Sequence, residues 1–201
     1  MSKFYDDKYG SEDLYWGSQP SSIARILFQM FPPQVEQTLL DVGSGEGKDS
    51  LFFARNGYRV TAFDSSAEGV KKSQAWAEEQ RLAIEFFQAD INEYRLDNSF
   101  DVIVASGTMH YIVPSLREEI VANYKQFTTS GGIHALTVPI DKPFLQKDPE
   151  ADVLERNWRS GEILTLYHDW KIEFFEEEIL DDIKSSYKFP VNRLIAREPS
   201  A

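Results

Sequence analysis

The chain has 201 residues, of which 42% are hydrophobic and 27% charged, and its formal net charge at pH 7 is −12. These values predict one soluble globular domain with a substantial core, and the negative charge argues against a nucleic-acid partner. The absence of cysteine excludes disulfides, thiolate metal sites and cysteine nucleophiles. No apolar run approaches the roughly 20 residues that span a bilayer, and no secretory signal opens the chain. We therefore expect a cytoplasmic protein without membrane contact.

Aromatic residues are concentrated near the start of the chain, without helix or strand periodicity: Phe4, Tyr5, Tyr9, Tyr15 and Trp16. This aromatic arm (residues 2–20) either packs its rings on the core or forms a lid whose rings cover a bound ligand. A helix follows it, because apolar residues recur at helical spacing from Ile23 to Met30. We expect residues 1–36, the arm and this helix together, to act as the lid.

From residue 38 onward, strands and helices alternate. Strands are predicted at residues 38–42, 58–63, 84–88, 100–105 and 133–138. The helix before the fifth strand starts with a capping box of Ser115 and Glu118 and stops at Gly131 and Gly132. This alternation predicts a parallel sheet with helices on both faces.

Two further strands are predicted near the end of the chain, at residues 171–177 and 191–197. The short connection between them predicts an antiparallel pair. The acidic residues 176–182 predict a solvated sheet edge that resists aggregation. The fold class is therefore α/β, a Rossmann-like, doubly wound, seven-stranded sheet that is mostly parallel with an antiparallel last strand. One domain is expected over residues 1–201.

The most informative stretch, residues 39–50, predicts a buried strand, a glycine turn and a helix start. Glycines at positions 43, 45 and 47 let the backbone turn sharply and let a ligand approach with no Cβ in the way. Free N–H groups where the helix begins suit an anionic or carboxylate-bearing ligand. Asp41, before the turn, suits a cationic ligand better than a pyrophosphate. The G-x-G-x-G pattern indicates a nucleotide-like cofactor only together with further residues.

Polar side chains follow the next three strands. Ligands of open parallel sheets bind at the carboxyl ends of the strands, where the strand order reverses. Asp64 follows the second strand, where a carboxylate can accept both hydroxyls of an adenosine ribose. Asp90 follows the third and can accept from an adenine amino group, with Ile91 against the ring; Ser106 and His110 follow the fourth. An N-cap or turn role is the alternative for each aspartate, but two in register with the glycine turn favour a cofactor site.

Three segments resemble motifs of the class I S-adenosylmethionine-dependent methyltransferases: residues 40–47, Phe63-Asp64 and Ala89-Asp90-Ile91. The trailing antiparallel strands are also similar to theirs. Within that superfamily the chain resembles the tellurite-resistance methyltransferases and their thiopurine-methyltransferase-like relatives. The segments that carry this second resemblance are residues 4–10, 15–17, 161–164, 167 and 169–170.

The resemblance implies S-adenosyl-L-methionine as the cofactor, S-adenosyl-L-homocysteine as the product, and no metal. It places the methionine part on the glycine turn and Asp41. It places the ribose on Asp64 and the adenine on Asp90 with Ile91. Two serines depart from the family pattern. Ser65 stands where the family often has a larger apolar side chain that packs on the adenine, and Ser44 stands where it often has Cys or Ala. The implied cofactor-binding residues are Tyr9, Trp16, Asp41, Gly43, Ser44, Gly45, Asp64, Ser65, Asp90, Ile91 and Ser106.

The three histidines have different predicted roles. His110 lies in the loop that faces the predicted methyl donor, where it acts as a catalytic base for a thiol or amine, or only shapes the pocket. An anionic substrate such as a tellurium or selenium oxyanion needs no base. His134, in the fifth strand, is predicted to be buried and hydrogen-bonded. Residues 141–171 are expected to form an insertion that caps the substrate. Within it, His168 is predicted to lie at the surface, and Arg156 and Arg159 either guide an anionic substrate or carry solvated charge at the surface.

These features together predict methyl transfer to a small-molecule acceptor, such as a thiol, tellurite or selenite, by a monomer or homodimer. Two alternatives stay open. An NAD(P)-dependent oxidoreductase explains the glycine turn and Asp64, but not Asp41, Asp90 or the late strand pair. A non-catalytic protein of the same fold would bind the cofactor and transfer no methyl group.

Overall fold

The computed structural model describes residues 3–146, 156–181 and 187–200. Its helices are α1 (Lys3–Tyr9), α2 (Ser22–Met30), α3 (Lys48–Arg55), α4 (Ala67–Glu79), α5 (Arg117–Gln126) and α6 (Glu162–Leu166). Its strands are β1 (Gln37–Val42), β2 (Tyr58–Asp64), β3 (Ile84–Gln88), β4 (Phe100–Ser106), β5 (Thr128–Asp141), β6 (Trp158–Arg159), β7 (Lys171–Asp181) and β8 (Lys188–Arg197).

Seven strands form one sheet in the order β3-β2-β1-β4-β5-β8-β7, and the two-residue β6 pairs with the end of β5. The first five strands in the chain are parallel, whereas β8 runs antiparallel to both β5 and β7. The predicted α/β class and the antiparallel last strand are confirmed. The strand order reverses between β1 and β4, which places a ligand crevice at their carboxyl ends.

The core lies on both faces of the central strands, as expected of parallel strands covered by helices. In β1, Leu40 and Val42 belong to one apolar cluster, whereas Leu39 belongs to the other. The α2 helix closes the second cluster with Ile23 and other apolar side chains of its predicted face. Burial on both faces fixes the carboxyl ends of β1, β2 and β4 as rigid supports for loop residues.

The N-terminal arm differs from its predicted irregular structure. Its residues Lys3–Tyr9 form a short helix, although the sequence shows no helical periodicity there. Short helices depend on tertiary contacts, and here Tyr5 stacks on Tyr9 with ring centroids 5.2 Å apart. Ser66 also donates a hydrogen bond of 2.5 Å to the Asp6 carboxylate. Contacts between aromatic rings and with α4 therefore stabilise this helix.

Two local predictions around α5 are wrong. The capping box of Ser115 and Glu118 is absent, because a 3₁₀ turn over Pro114–Leu116 occupies that position and Leu116 makes no side-chain cap. The glycines at 131 and 132 lie inside β5 and do not stop the helix, which ends at Gln126. A φ of 73° at Gly131 and a register shift between β4 and β5 accommodate them in the strand.

The predicted acidic edge is confirmed in position, since β7 ends the sheet. It is more than a solvated edge, because Glu176 and Glu178 both pair with the buried Arg193 of β8, at 2.6 and 2.5 Å. The last acidic residue of the run, Asp182, and residues 147–155 of the predicted insertion lie outside the described residues. Among the helices that the structure describes, none has both the length and the apolar character that a membrane span requires.

Candidate active site

The glycine turn connects β1 to α3 and is built from backbone hydrogen bonds. Gly43 and Ser44 donate their N–H groups to the Phe63 carbonyl at 2.8 and 3.0 Å, and Gly47 donates to Ser44. Gly45 donates to the Asp64 carboxylate at 2.8 Å. Four N–H groups of the turn are therefore used within the protein. This arrangement disfavours a pyrophosphate cradle made by the turn itself, whereas the free N–H groups predicted where α3 begins stay a prediction.

Side chains approach the glycines too closely for any other residue. An ideal Cβ on Gly43 would lie 2.1 Å from Thr108, and one on Gly45 would lie 2.9 Å from the Tyr9 hydroxyl. Both glycines also have positive φ, 69° and 57°, which glycine adopts without strain. The turn thus brings β1, the loop after β4 and the aromatic arm together around one crevice.

Asp64 is the carboxylate that joins the glycine turn to β2. One oxygen accepts from Gly45 and the other accepts from the Ser66 N–H, both at 2.8 Å. Burial raises the pKa of Asp64, although these backbone hydrogen bonds oppose the rise. Each oxygen keeps a lone pair for a further donor, so the carboxylate is oriented and still able to accept from a ligand.

Asp41 lies beneath the turn and is only 2% exposed. Ser50 donates to it at 2.5 Å. Burial and the nearby Asp49 carboxylate raise the pKa of Asp41 to about 7. Asp49 is also buried, and it accepts from the Ser21 N–H at 2.6 Å, next to the start of α2. The ionisation of Asp41 therefore changes near neutral pH, and the neighbouring Asp49 carboxylate contributes to that change.

Asp90 has the turn role and also lines the crevice, so the adenine role stays a prediction. Its Oδ1 accepts from the Asn92 N–H at 2.8 Å, which is the turn role. Its side chain also lines the same crevice as Ile91. Two hydroxyl oxygens, Ser44 Oγ and Thr137 Oγ1, belong to residues that line this crevice as well, and both are buried without a hydrogen-bond partner among the described residues. These two hydroxyls are available to a ligand.

His110 is buried in the wall of the crevice and only 3% exposed. Burial, with a smaller contribution from the Arg117 charge, lowers its pKa to about 3. The imidazole is therefore neutral at pH 7 and accepts a proton weakly. His134 is buried between the Tyr167 hydroxyl at 2.6 Å and the Thr128 hydroxyl at 2.7 Å, as predicted. The predicted surface residues of the insertion are exposed: Arg156, Arg159 and His168.

Two rings of the aromatic arm reach the glycine turn. The Tyr9 side chain is 5% exposed, and the Trp16 indole N–H donates to its hydroxyl at 3.1 Å. Burial, with a smaller contribution from the Asp64 carboxylate, raises the pKa of Tyr9. The hydroxyl therefore stays protonated at neutral pH and fixes the arm beside the turn.

The structure brings every sequence-predicted site residue to one cleft of about 1800 Å³. These residues come from the arm, the glycine turn and the carboxyl ends of β2, β3 and β4. They are Tyr9, Trp16, Asp41, Gly43, Ser44, Gly45, Asp64, Ser65, Asp90, Ile91, Ser106 and His110.

Sequence analysis missed several residues that organise this cleft. Glu46 and Lys72 form an ion pair of 2.8 Å beside the glycine turn. Gly69 in α4 allows close packing, because a Cβ there would lie 2.9 Å from both the Gly45 carbonyl and the Tyr9 ring. Glu46 lies inside the glycine motif, which was a usable signal. Lys72 and Gly69 lie in an ordinary amphipathic helix, where no sequence pattern marks them.

Solved structures with this architecture include several S-adenosylmethionine-dependent methyltransferases. The crystal structure of TehB from Haemophilus influenzae aligns with a TM-score of 0.78 and 20% identity, covering 98% of this chain and 66% of that one. A Burkholderia thailandensis 1,6-didemethyltoxoflavin-N1-methyltransferase, solved with S-adenosylhomocysteine, aligns with a TM-score of 0.64 and 20% identity, covering 89% of this chain and 77% of that one. The fold is thus the Rossmann-like fold of S-adenosylmethionine-dependent methyltransferases.

Sequence comparison identifies the family within that fold. A family model described as tellurite resistance protein TehB matches residues 4–189, and the chain belongs to this family. A relative from H. influenzae, named probable S-adenosyl-L-methionine-dependent methyltransferase TehB, is 24% identical over 70% of this chain and 48% of its own length. A putative methyltransferase from Geobacillus is 32% identical over 55% of this chain and 44% of its own length. The chain spans about half the length of these curated relatives.

Proposed function

We propose that this protein transfers a methyl group from S-adenosylmethionine to a small-molecule acceptor. The observation that carries the proposal is the position of Asp64. Its carboxylate is oriented by the Gly45 and Ser66 N–H groups and faces the same cleft as Asp90. Two carboxylates at the ends of neighbouring strands suit the ribose and the adenine of a nucleoside cofactor.

The residues present fit S-adenosylmethionine better than a dinucleotide. Asp41 and Asp64 line the cleft, and their carboxylates favour a ligand that carries positive charge. Most of the glycine turn's N–H groups are used within the protein, so the turn offers close approach and few free donors to a pyrophosphate. The Ser44 hydroxyl, which has no hydrogen-bond partner in the part of the chain that the structure describes, adds one polar contact at the turn. The nicotinamide alternative is accordingly not favoured.

When bound, S-adenosylmethionine supplies a methyl group that is already activated by a sulfonium. The chain's own residues then have to orient the reactants and exclude water. We propose that the aromatic arm acts as the lid for this purpose, because Tyr9 and Trp16 lie over the glycine turn. Aromatic faces near a sulfonium also add cation–π attraction.

We propose an acceptor that is already a nucleophile at neutral pH, such as tellurite, selenite or an acidic thiol. The support is His110, whose pKa of about 3 makes it a weak base. In this proposal the neutral imidazole shapes the cleft and takes no proton. The catalytic-base role for His110 stays a prediction, and a limb of the pH–rate profile that disappears in His110→Asn would support it.

Binding and turnover test this proposal separately. We expect titration calorimetry to detect S-adenosylhomocysteine binding and no NADH binding. We also expect label from methyl-labelled S-adenosylmethionine to appear in at least one acceptor of a panel of thiols, selenite and tellurite. Binding without transfer to any acceptor would favour the non-catalytic alternative. Binding of NADH alone would refute the methyltransferase proposal.

A further inference from the structure

One lysine outside the predicted site connects the aromatic arm to the body of the domain. The Lys72 ammonium, on α4, donates to the backbone carbonyls of Ser11 and Asp13 at 2.8 and 2.6 Å. It also lies 3.3 Å from the Tyr9 carbonyl. Its remaining partner is the Glu46 carboxylate at 2.8 Å. A single side chain therefore joins three points of the arm to the glycine turn.

The arm needs such a partner because of where its helix ends. Tyr9 is the last residue of α1, and the last carbonyl groups of a helix receive no hydrogen bond from an N–H group of the same helix. A helix of this length is not stable alone in water. A cation at its C-terminal end supplies the missing hydrogen bonds and interacts favourably with the carbonyl dipoles. Lys72 occupies that position.

Glu46 extends the same connection to the other end of the arm. Its side chain is 3% exposed, whereas that of Lys72 is 20% exposed. The second Glu46 oxygen accepts a hydrogen bond from the backbone N–H of Trp16, with 3.3 Å between nitrogen and oxygen. Because a buried carboxylate without a counter-ion is costly, Glu46 and Lys72 hold one another in place. The pair thereby fixes both rings that lie over the turn, Tyr9 and Trp16.

We propose that Lys72 and Glu46 are positioning residues that hold the aromatic arm over the cleft and so slow the release of the cofactor. The proposal rests on the proposed function for the identity of that cofactor. Neither residue lines the cleft. They act through Tyr9 and Trp16, which do. Loss of the pair leaves the cleft residues intact and loosens only their cover.

The experiment compares Lys72→Met with Lys71→Met. Lys71 is the next residue of α4, is 78% exposed, and has only a 3.7 Å pair with Glu68. Hydrogen exchange of residues 4–17 is measured in ligand-free protein, and S-adenosylhomocysteine dissociation is measured by stopped-flow fluorescence. For Lys72→Met we expect both rates to rise at least about tenfold, with an unchanged association rate. We expect wild-type rates for Lys71→Met.

A second variant, Glu46→Gln, tests the other half of the pair. It keeps the size of the side chain and removes its charge, so we expect a smaller rise of the same two rates. Wild-type arm exchange and wild-type dissociation in both variants would overturn the proposal. If the wild-type protein binds no S-adenosylhomocysteine, the proposed function fails, and arm exchange in the ligand-free variants still decides whether the pair holds the arm.

Discussion

The carboxylates around the glycine turn differ in the partners that hold them. Asp64 accepts two backbone N–H groups and faces the cleft. Asp41 lies deeper, accepts from the Ser50 hydroxyl, and is close enough to Asp49 for the two charges to interact. Asp64 is therefore suited to hold a ligand, whereas the ionisation of Asp41 affects the fold as well.

Replacement of Asp64 by alanine is expected to weaken S-adenosylhomocysteine binding by roughly 100-fold. Hydrogen bonds to a charged group contribute about 1.5–3 kcal/mol each, and a tenfold loss in affinity corresponds to about 1.4 kcal/mol. Titration calorimetry measures the change, and cooperative thermal unfolding of the variant shows that the fold persists. The control is Glu85→Ala, an exposed carboxylate on the adjacent β3. Unchanged affinity in Asp64→Ala would contradict the ribose assignment.

Asp41→Asn is expected to change how stability depends on pH. Burial raises the pKa of folded Asp41 to about 7, so between its unfolded pKa and about pH 7 the folded state holds a proton that the unfolded chain has released. Stability from this proton is present at low pH and is lost as pH rises through that window. The variant, which stays neutral, therefore gains stability over wild type on going from pH 5 to pH 8.

Urea denaturation of ligand-free protein at the two pH values measures this difference. We expect the difference in free energy of unfolding between Asp41→Asn and wild type to widen by on the order of 1 kcal/mol per pH unit within the window. The control is the exposed Asp97→Asn, for which the gap stays constant. A gap for Asp41→Asn that does not depend on pH would show that Asp41 stays ionised in the folded state.

Among the elements, the edge strand β7 depends on its pairing with β8. Arg193 on β8 is 6% exposed and contacts two glutamates of β7. The glutamate side chains are each 44% exposed, so solvent screens part of the attraction. The buried guanidinium nevertheless needs these carboxylates, because an unpaired buried charge is costly. These ion pairs hold the acidic edge strand β7 against β8.

Arg193→Met is expected to destabilise the protein by roughly 2 kcal/mol, since it removes two charge-assisted hydrogen bonds from a buried position. The control is Lys188→Met on the same strand, whose pair with Asp181 is exposed and whose loss costs about 0.5 kcal/mol or less. Chemical denaturation measures both. Equal losses in the two variants would show that burial of Arg193 adds nothing to its ion pairs.

At the scale of the whole molecule, ligand binding and stability are linked. S-adenosylhomocysteine at about 100 times its Kd is expected to raise the free energy of unfolding by about 2.7 kcal/mol. For a domain of this size, that corresponds to a rise in Tm of roughly 5–10 °C. NADH at the same concentration is expected to cause no shift. A larger shift with NADH than with S-adenosylhomocysteine would favour the oxidoreductase alternative.

The strands and the glycine turn could be predicted because they depend on local patterns. The range predicted for β3, 84–88, equals the observed Ile84–Gln88, since apolar residues and turn signals mark both ends. Helix α1 and the start of β5 were missed. Helix α1 forms because contacts with α4 override a weak local preference. The start of β5 includes Gly131, which fits the strand only through its positive φ.

The amino-acid sequence was enough to predict the α/β class, the glycine turn and the residues at the carboxyl ends of the strands, because local periodicity and chain order fix which groups meet at one sheet edge. How those groups are held became visible only in the folded chain. The weak basicity of His110, the raised pKa of Asp41 and the contact of Lys72 with the arm all depend on burial and on neighbours that the fold brings close. Burial changes the free energy of a charge, and no local pattern records it.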